Sequence, residues 1–236
     1  MPIVHTRPSL SELSVLLAQG FIEHAKQNIE TQGSFHAAFS GGKTPQLFYA
    51  LLAQPLYAER IQWAHVHIYL SDERFVPFTH IDNNFAMIKA TLLDHVPIPD
   101  TNIHYIKMED LSPHEAALDY EIELKNQLPK DINQRSLFDF ILLGIGEDGH
   151  VASLFPATTI LGMTDKMAAA VFVNQLQAWR ISLTFPSINS AKYVAILAGQ
   201  NKAHIIQQVF SDHAQAIYPI QMLEPEKQLE WYTESV

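Results

Sequence analysis

The densest group of reactive side chains in the 236-residue chain is Gly144-Ile145-Gly146-Glu147-Asp148-Gly149-His150. Imidazole ordinarily titrates near ~6.5, so a histidine here suits general-base work on water, and a carboxylate two residues away can hold its tautomer. His150 is thus the candidate base and Asp148 its partner. The competing reading is a helix-capping or solvated loop histidine, and with twelve histidines in the chain no single one starts with much weight. The same stretch matches GxGxxG, a dinucleotide fingerprint. Pro156 limits the following helix to under two turns, and Asp165 precedes the Ala168–Val173 run instead of closing it, so dinucleotide binding is rejected. With no GxSxG elbow and no cysteine, direct attack by water is preferred to a covalent route.

Three other segments offer binding chemistry. In Ser40-Gly41-Gly42-Lys43-Thr44 the glycines let backbone approach a ligand, and a helix N-terminus, with Thr44 as N-cap and Pro45 at the first helical position, presents N–H groups to an anion. The GxxxxGK[ST] spacing of a P-loop is missing, and an ordinary capped turn is the alternative. Asp72-Glu73-Arg74 reads as a charged loop after a strand, Arg180 opens a strand, and Lys202 sits at a helix start. Arg74, Arg180, Lys202 and Lys43 could together supply a local basic pocket for a phosphorylated ligand. The His65-x-His67 pair would point both rings to one side of a strand, and HExxH and EF-hand patterns are absent, so neither metal nor cofactor is expected.

Elements to position these groups follow from periodicity. Ser9 and Glu12 form a capping box before Leu10, Leu13, Leu17, Phe21 and Ala25, which predicts a helix over residues 9 to about 31. Short apolar runs predict strands at 35–39, 65–70, 138–143, 168–173, 180–185 and 193–198. Helices are expected at 83–93, at 113–127 behind Ser112, Pro113 and Glu115, and from Lys202 to residue 210. Strands alternating with helices predict an α/β fold: a mostly parallel sheet wrapped by helices on both faces, as one domain over 1–236. Loops 40–44, 72–74, 144–150 and 199–202 each follow a strand, so they should converge on one crevice beyond the carboxyl ends.

The apolar share of 47% can fill a sizeable core, while a net charge of −10 argues against nucleic acid and anionic membranes as partners. No run approaches the ~18 apolar residues of a membrane span, and the absence of cysteine fits a reducing compartment, so a cytoplasmic location is expected.

The segments SGGKTP at 40–45, SDERFVP at 71–77, GIGEDGHVASLFP at 144–156, RISLTFPSIN at 180–189 and GQNKA at 199–203 resemble the 6-phosphogluconolactonase family, in order over most of the chain. The resemblance implies a Rossmann-like fold shared with glucosamine-6-phosphate deaminase and ribose-5-phosphate isomerase. It also implies hydrolysis of 6-phosphoglucono-δ-lactone to 6-phosphogluconate in the pentose phosphate pathway. It makes His150 the general base with Asp148 beside it, places Ser40, Gly41, Gly42, Arg74, Arg180 and Lys202 around phosphate and hydroxyls, and Asp72 in the pocket. Lys43 and Thr44 join this substrate-binding set, and a monomer or weak homodimer is expected. Two departures stand out: Asn83-Asn84 replaces the usual Ser-Asn, and Gln177-Ala178-Trp179 replaces a proline-rich, basic lead, which removes support for a second arginine beside Arg180.

Two alternatives stay open. A sugar-phosphate deaminase or isomerase also carries a DGH-type loop, but typically continues it as Ala-Phe-Asn-Glu-Pro and reads DEY where this chain has Asp72-Glu73-Arg74. A non-catalytic sugar-phosphate sensor needs a DNA-binding module, for which the single helix expected before the first strand is too little.

Overall fold

A computed structural model describes residues 2–130, 137–211 and 218–234. Seven strands form a parallel sheet in the order β1-β10-β9-β6-β2-β3-β5. They are β1 (Ile3–Arg7), β2 (Phe35–Phe39), β3 (Val66–Leu70), β5 (Ile103–His104), β6 (Phe140–Leu143), β9 (Tyr193–Ala198) and β10 (Gln228–Glu234). The helices are α1 (Leu10–Gln32), α2 (Lys43–Leu52), α3 (Pro55–Ala58), α4 (Asn84–Thr91), α5 (Pro113–Gln127), α6 (Phe185–Asn189) and α7 (Ala203–Val209).

The expected α/β architecture is present, with a second sheet the sequence did not announce. β4 (Asp72–Arg74), β7 (Ala168–Val173) and β8 (Ala178–Leu183) pair antiparallel in the order β4-β8-β7. Asp72-Glu73-Arg74 is therefore a strand, not a loop, and Arg180 lies inside β8 instead of opening it. The ladder puts Asp72 opposite Ser182 and Arg74 opposite Arg180. Leu183 N–H donates to Ser71 O at 2.8 Å, so the small sheet is hung directly on the end of β3.

Other expectations needed correction. β1 precedes α1 as an edge strand, so α1 is not the first element. No α-helix separates β6 from β7; only a 3-10 turn, Thr159–Gly162, follows the 144–150 loop. His65 ends a 3-10 turn, while His67 on β3 stacks between His36 and His104. Thr44 is not a cap: α2 starts at Lys43 behind Gly42, whose φ of 102° suits glycine and few other residues.

Local sequence explains the helices that hold the sheet. Ser9 Oγ accepts from Glu12 N–H, and Gly33 in the left-handed region ends α1. Ser112 and Glu115 form a reciprocal capping box on α5. The apolar stripe of α1 puts Phe21 among Phe35, Phe39, Phe48 and Phe140 at ring separations of 5.2, 5.7, 5.7 and 5.4 Å. Burying one such ring contributes about 1.5–3 kcal/mol. On α5, the buried Tyr120 hydroxyl donates to Leu70 O at 2.7 Å, tying the helix to the carboxyl end of β3.

Candidate active site

β9, β6, β2 and β3 are consecutive neighbours in the large sheet, and their carboxyl ends lead into residues 199–202, 144–150, 40–44 and 71–74. The chain runs from β2 to β3 on one side and later places β6 on the other, so a crevice opens where the strand order reverses. A cavity of about 330 Å³ occupies it, lined from all four segments.

His150 lines the cavity with its ring fixed on three sides. Asp148 Oδ1 lies 2.6 Å from Nδ1, Phe155 stacks on the ring at 3.8 Å between centroids, and Gly146 lies against it. A Cβ on Gly146 would come within 2.1 Å of the ring, so only glycine leaves the imidazole its place. Gly149, at φ 74°, turns the loop beneath, where Tyr218 leaves no room for a Cβ. Burial pushes the Asp148 carboxyl up, but its hydrogen bonds and charge interaction with His150 outweigh that and hold it below the usual range. Asp148 thus stays ionised and can accept from Nδ1 of a neutral imidazole, and more strongly from a protonated one.

Facing His150, the segment Ser40-Gly41-Gly42-Lys43-Thr44 lines the cavity at the N-terminus of α2. Ser40 Oγ and Ser71 Oγ share a hydrogen bond at 2.6 Å, which joins the ends of β2 and β3. Asp72 and Arg74 line the cavity from one face of β4, as period-2 alternation requires. Asp72 is buried and accepts from Ser153 Oγ at 2.7 Å; Ala152, with φ 48° in the left-handed region, makes the turn that brings Ser153 there.

The two arginines direct their side-chain hydrogen bonds to backbone oxygens. Arg74 donates to Asp82 O at 2.7 Å and Arg180 to Trp179 O at 3.2 Å, both backbone oxygens, although the two residues are cross-strand partners. Burial lowers the Arg180 pKa and the neighbouring Arg74 lowers it further, against Asp72, Asp82 and Glu73. Two guanidinium groups this close favour an anion between or above them. Lys202 lines the cavity and reaches Glu147 at 3.5 Å, a mostly exposed carboxylate that a stronger anion can displace. Arg180 is the one proposed binding residue outside the cavity lining; it lies opposite Arg74 on β8.

Asn84 is the residue that sequence reasoning missed. It is buried at the start of α4, lines the cavity, and donates from Nδ2 to Asp72 O at 3.0 Å. Its Oδ1 faces Gly41, where a Cβ would lie 1.7 Å away. The adjacent Asn83 is the helix cap, accepting from Ala86 N–H. A signal did exist in the Asn-Asn pair: one cap needs only one of them. Pro45, Gly144, Ile145 and Gly146, from segments already singled out, share the wall with Ala152, Leu197 and Ala198, which carry no side-chain chemistry to mark them in advance.

Among the described residues no group of three or more His, Cys, Asp or Glu side chains is placed to hold a metal ion, and no helix is long and apolar enough to cross a membrane.

Comparison with known proteins gives a consistent set of relatives. The sequence pattern of the family described as "Glucosamine-6-phosphate isomerases/6-phosphogluconolactonase" matches residues 8–231. A 6-phosphogluconolactonase from Nostoc sp. is 36% identical over 86% of this chain and 83% of its own length. One from Haemophilus influenzae is 34% identical over 92% and 90%. The crystal structure of a 6-phosphogluconolactonase from Leishmania guyanensis superimposes with a TM-score of 0.87 at 25% identity, covering 99% of this chain and 96% of that one.

Proposed function

Because the chain belongs to the glucosamine-6-phosphate isomerase/6-phosphogluconolactonase family, we infer that it is a carboxylic ester hydrolase that converts 6-phospho-D-glucono-1,5-lactone to 6-phospho-D-gluconate, the second step of the oxidative pentose phosphate pathway. The observation that carries the chemistry is His150 held by Asp148 across a 330 Å³ cavity from the Ser40–Thr44 segment, Arg74 and Lys202.

In the proposed mechanism the phosphate is held by the N-terminus of α2, with Lys43, Arg74 and Lys202 supplying positive charge and Arg180 reinforcing Arg74. Ser40, Gly41, Gly42 and Thr44 meet phosphate or sugar hydroxyls, and Asp72 accepts from a hydroxyl. Asp148 keeps the Nδ1 hydrogen of His150, so Nε2 takes a proton from water as its oxygen adds to the lactone carbonyl carbon. The resulting oxyanion is stabilised by cationic side chains and loop N–H groups. As the carbonyl re-forms, the bond from that carbon to the ring oxygen breaks and protonated His150 returns the proton to that oxygen. Binding the remote phosphate fixes the carbonyl beside His150, which is the step where positioning contributes most.

We further propose that the 236 residues act as one lactonase domain, in the cytoplasm, as a monomer or weak homodimer, without cofactor; the net charge of −10 supports the exclusion of nucleic acid.

The deciding experiment follows disappearance of freshly made lactone against a no-enzyme blank, with and without the phosphate. Strong catalysis confined to the phosphorylated lactone is expected. Ammonia release from glucosamine 6-phosphate, or tight phosphosugar binding with no turnover, would replace this reading by the deaminase or the sensor.

A further inference from the structure

On β4, Asp72 and Arg74 face the cavity, and Glu73 between them points the other way into the core, where it is fully buried. Its carboxylate is not idle there. Oε1 accepts from the backbone N–H groups of Arg74 and Asn84, each at 2.8 Å, and Oε2 accepts from Phe85 N–H at 2.8 Å. Asn84 and Phe85 are the first two residues of α4, whose N–H groups have no partner inside the helix. A negative charge at that end is also favoured by the helix dipole.

The chain leaves β4 at Arg74 and returns at Asn84, and both residues line the cavity. Glu73 therefore clips together the two ends of the 75–83 excursion. We propose that Glu73 is a positioning residue of the site: by accepting from the N–H groups of Arg74, Asn84 and Phe85, its carboxylate fixes Arg74 and Asn84 at the spacing the substrate requires. Asn83 accounts for the third N–H of the helix, that of Ala86, so it does not duplicate the clip.

Protonation would convert one accepting oxygen into a donor and oppose an N–H group. Burial pushes the Glu73 carboxyl up to about 7, Asp72 adds to the rise, and the three N–H groups hold it down. The other ionisable neighbours are Arg74 on the same strand, Arg180 on β8 and Tyr120 on α5. α4 carries only Lys89, in its last turn and paired with Asp94. The clip should thus loosen as pH falls below 7.

The test has a kinetic arm, which rests on the lactonase reading, and a structural arm, which does not. Glu73→Gln keeps one acceptor and turns an amide donor toward the N–H groups. With blank-corrected rates on the phosphorylated lactone, KM is expected to rise about tenfold, as for loss of a hydrogen bond to a charged group, while kcat changes far less. Wild-type KM should climb from pH 8 to 6, whereas the variant's stays high and level. A fall in kcat at unchanged KM is what a merely structural role gives, and it would overturn the proposal, as would an unchanged variant.

The structural arm uses the wild-type protein and needs no turnover. Amide exchange protection of Asn84 and Phe85 should fall by up to about tenfold between pH 8 and 6 relative to Ala86, whose N–H is held by the neutral Asn83 side chain. A ratio constant over that range overturns the proposal whether or not the variant folds and whether or not the lactone is the substrate.

Discussion

Asp148 Oδ1 sits 2.6 Å from His150 Nδ1, and this pairing decides which ring nitrogen meets water. With Nδ1 occupied, Nε2 is the nitrogen left for the proposed base. Replacing His150 by alanine is expected to lower kcat by about 10²–10⁴-fold, the usual worth of a positioned general base. Asp148→Asn removes the charge but retains a hydrogen-bond acceptor, so a smaller fall in kcat with KM nearly constant is expected. Steady-state kinetics on fresh lactone check both; wild-type kcat in His150→Ala would remove it from the mechanism.

Gly146 and the His150 ring occupy the same small volume. Gly146→Ala places a methyl within 2.1 Å of the imidazole, which must then leave Phe155 or Asp148. Activity should fall with the global melting temperature little changed. Gly162→Ala meets nothing within 4 Å and serves as the control. Thermal melts and kcat measured side by side separate a displaced His150 ring from a general loss of folding.

Lys202 is shared between Glu147 and the proposed phosphate. Lys202→Ala should raise KM for the phosphorylated lactone by roughly 10-fold or more, consistent with a lost charge-assisted hydrogen bond, and leave the free-sugar lactone unaffected. Glu147→Gln removes the competing carboxylate and should lower KM modestly at low ionic strength. Equal effects of Lys202→Ala on both lactones would place the phosphate elsewhere.

Far from the cavity, His36, His67 and His104 stack across β2, β3 and β5. His36 also meets the Tyr69 hydroxyl at 3.1 Å, and His104 meets Glu123 at 2.7 Å. Burial, then the neighbouring histidines, lowers His36 to about 3 and His67 to about 4 from the ordinary 6.5. Both are neutral in the fold at pH 7. Below 6.5 the unfolded chain takes up protons that the folded chain refuses, so stability should decline with falling pH down to about 4 and then 3. For the well-buried His36 the slope is up to about 1.4 kcal/mol per pH unit. Urea midpoints at pH 7 and 5, with NMR titration of the His36 ring, test this; a ring that protonates near 6.5 in the folded protein would contradict it.

Legibility of the sequence followed the range of the forces involved. α1 and α5 could be read because their caps are local: Ser9 with Glu12 and Ser112 with Glu115 lie three residues apart. β1 could not, since Ile3 and Val4 are both exposed on an edge strand and give no alternation. β4 is three charged residues long and exists because β8 lies beside it. His150 with Asp148 was visible as a short spacing, whereas the cavity role of Asn84 depends on Gly41, far away in the chain, and on Glu73 fixing where α4 begins. Thr44 looked like a cap by residue type, but the positive φ at Gly42 starts the helix two residues earlier.

The four segments around the cavity come from four adjacent parallel strands, yet they stand at positions 40, 74, 150 and 202 of the chain. The first two can meet once β2 pairs with β3, but the segments at 150 and 202 cannot join them until β6 has docked on β2 and β9 on β6, which are contacts of long sequence separation and slow to form. Recovery of turnover after dilution from denaturant should therefore lag behind helix formation, and a collapsed intermediate rich in secondary structure would still be silent.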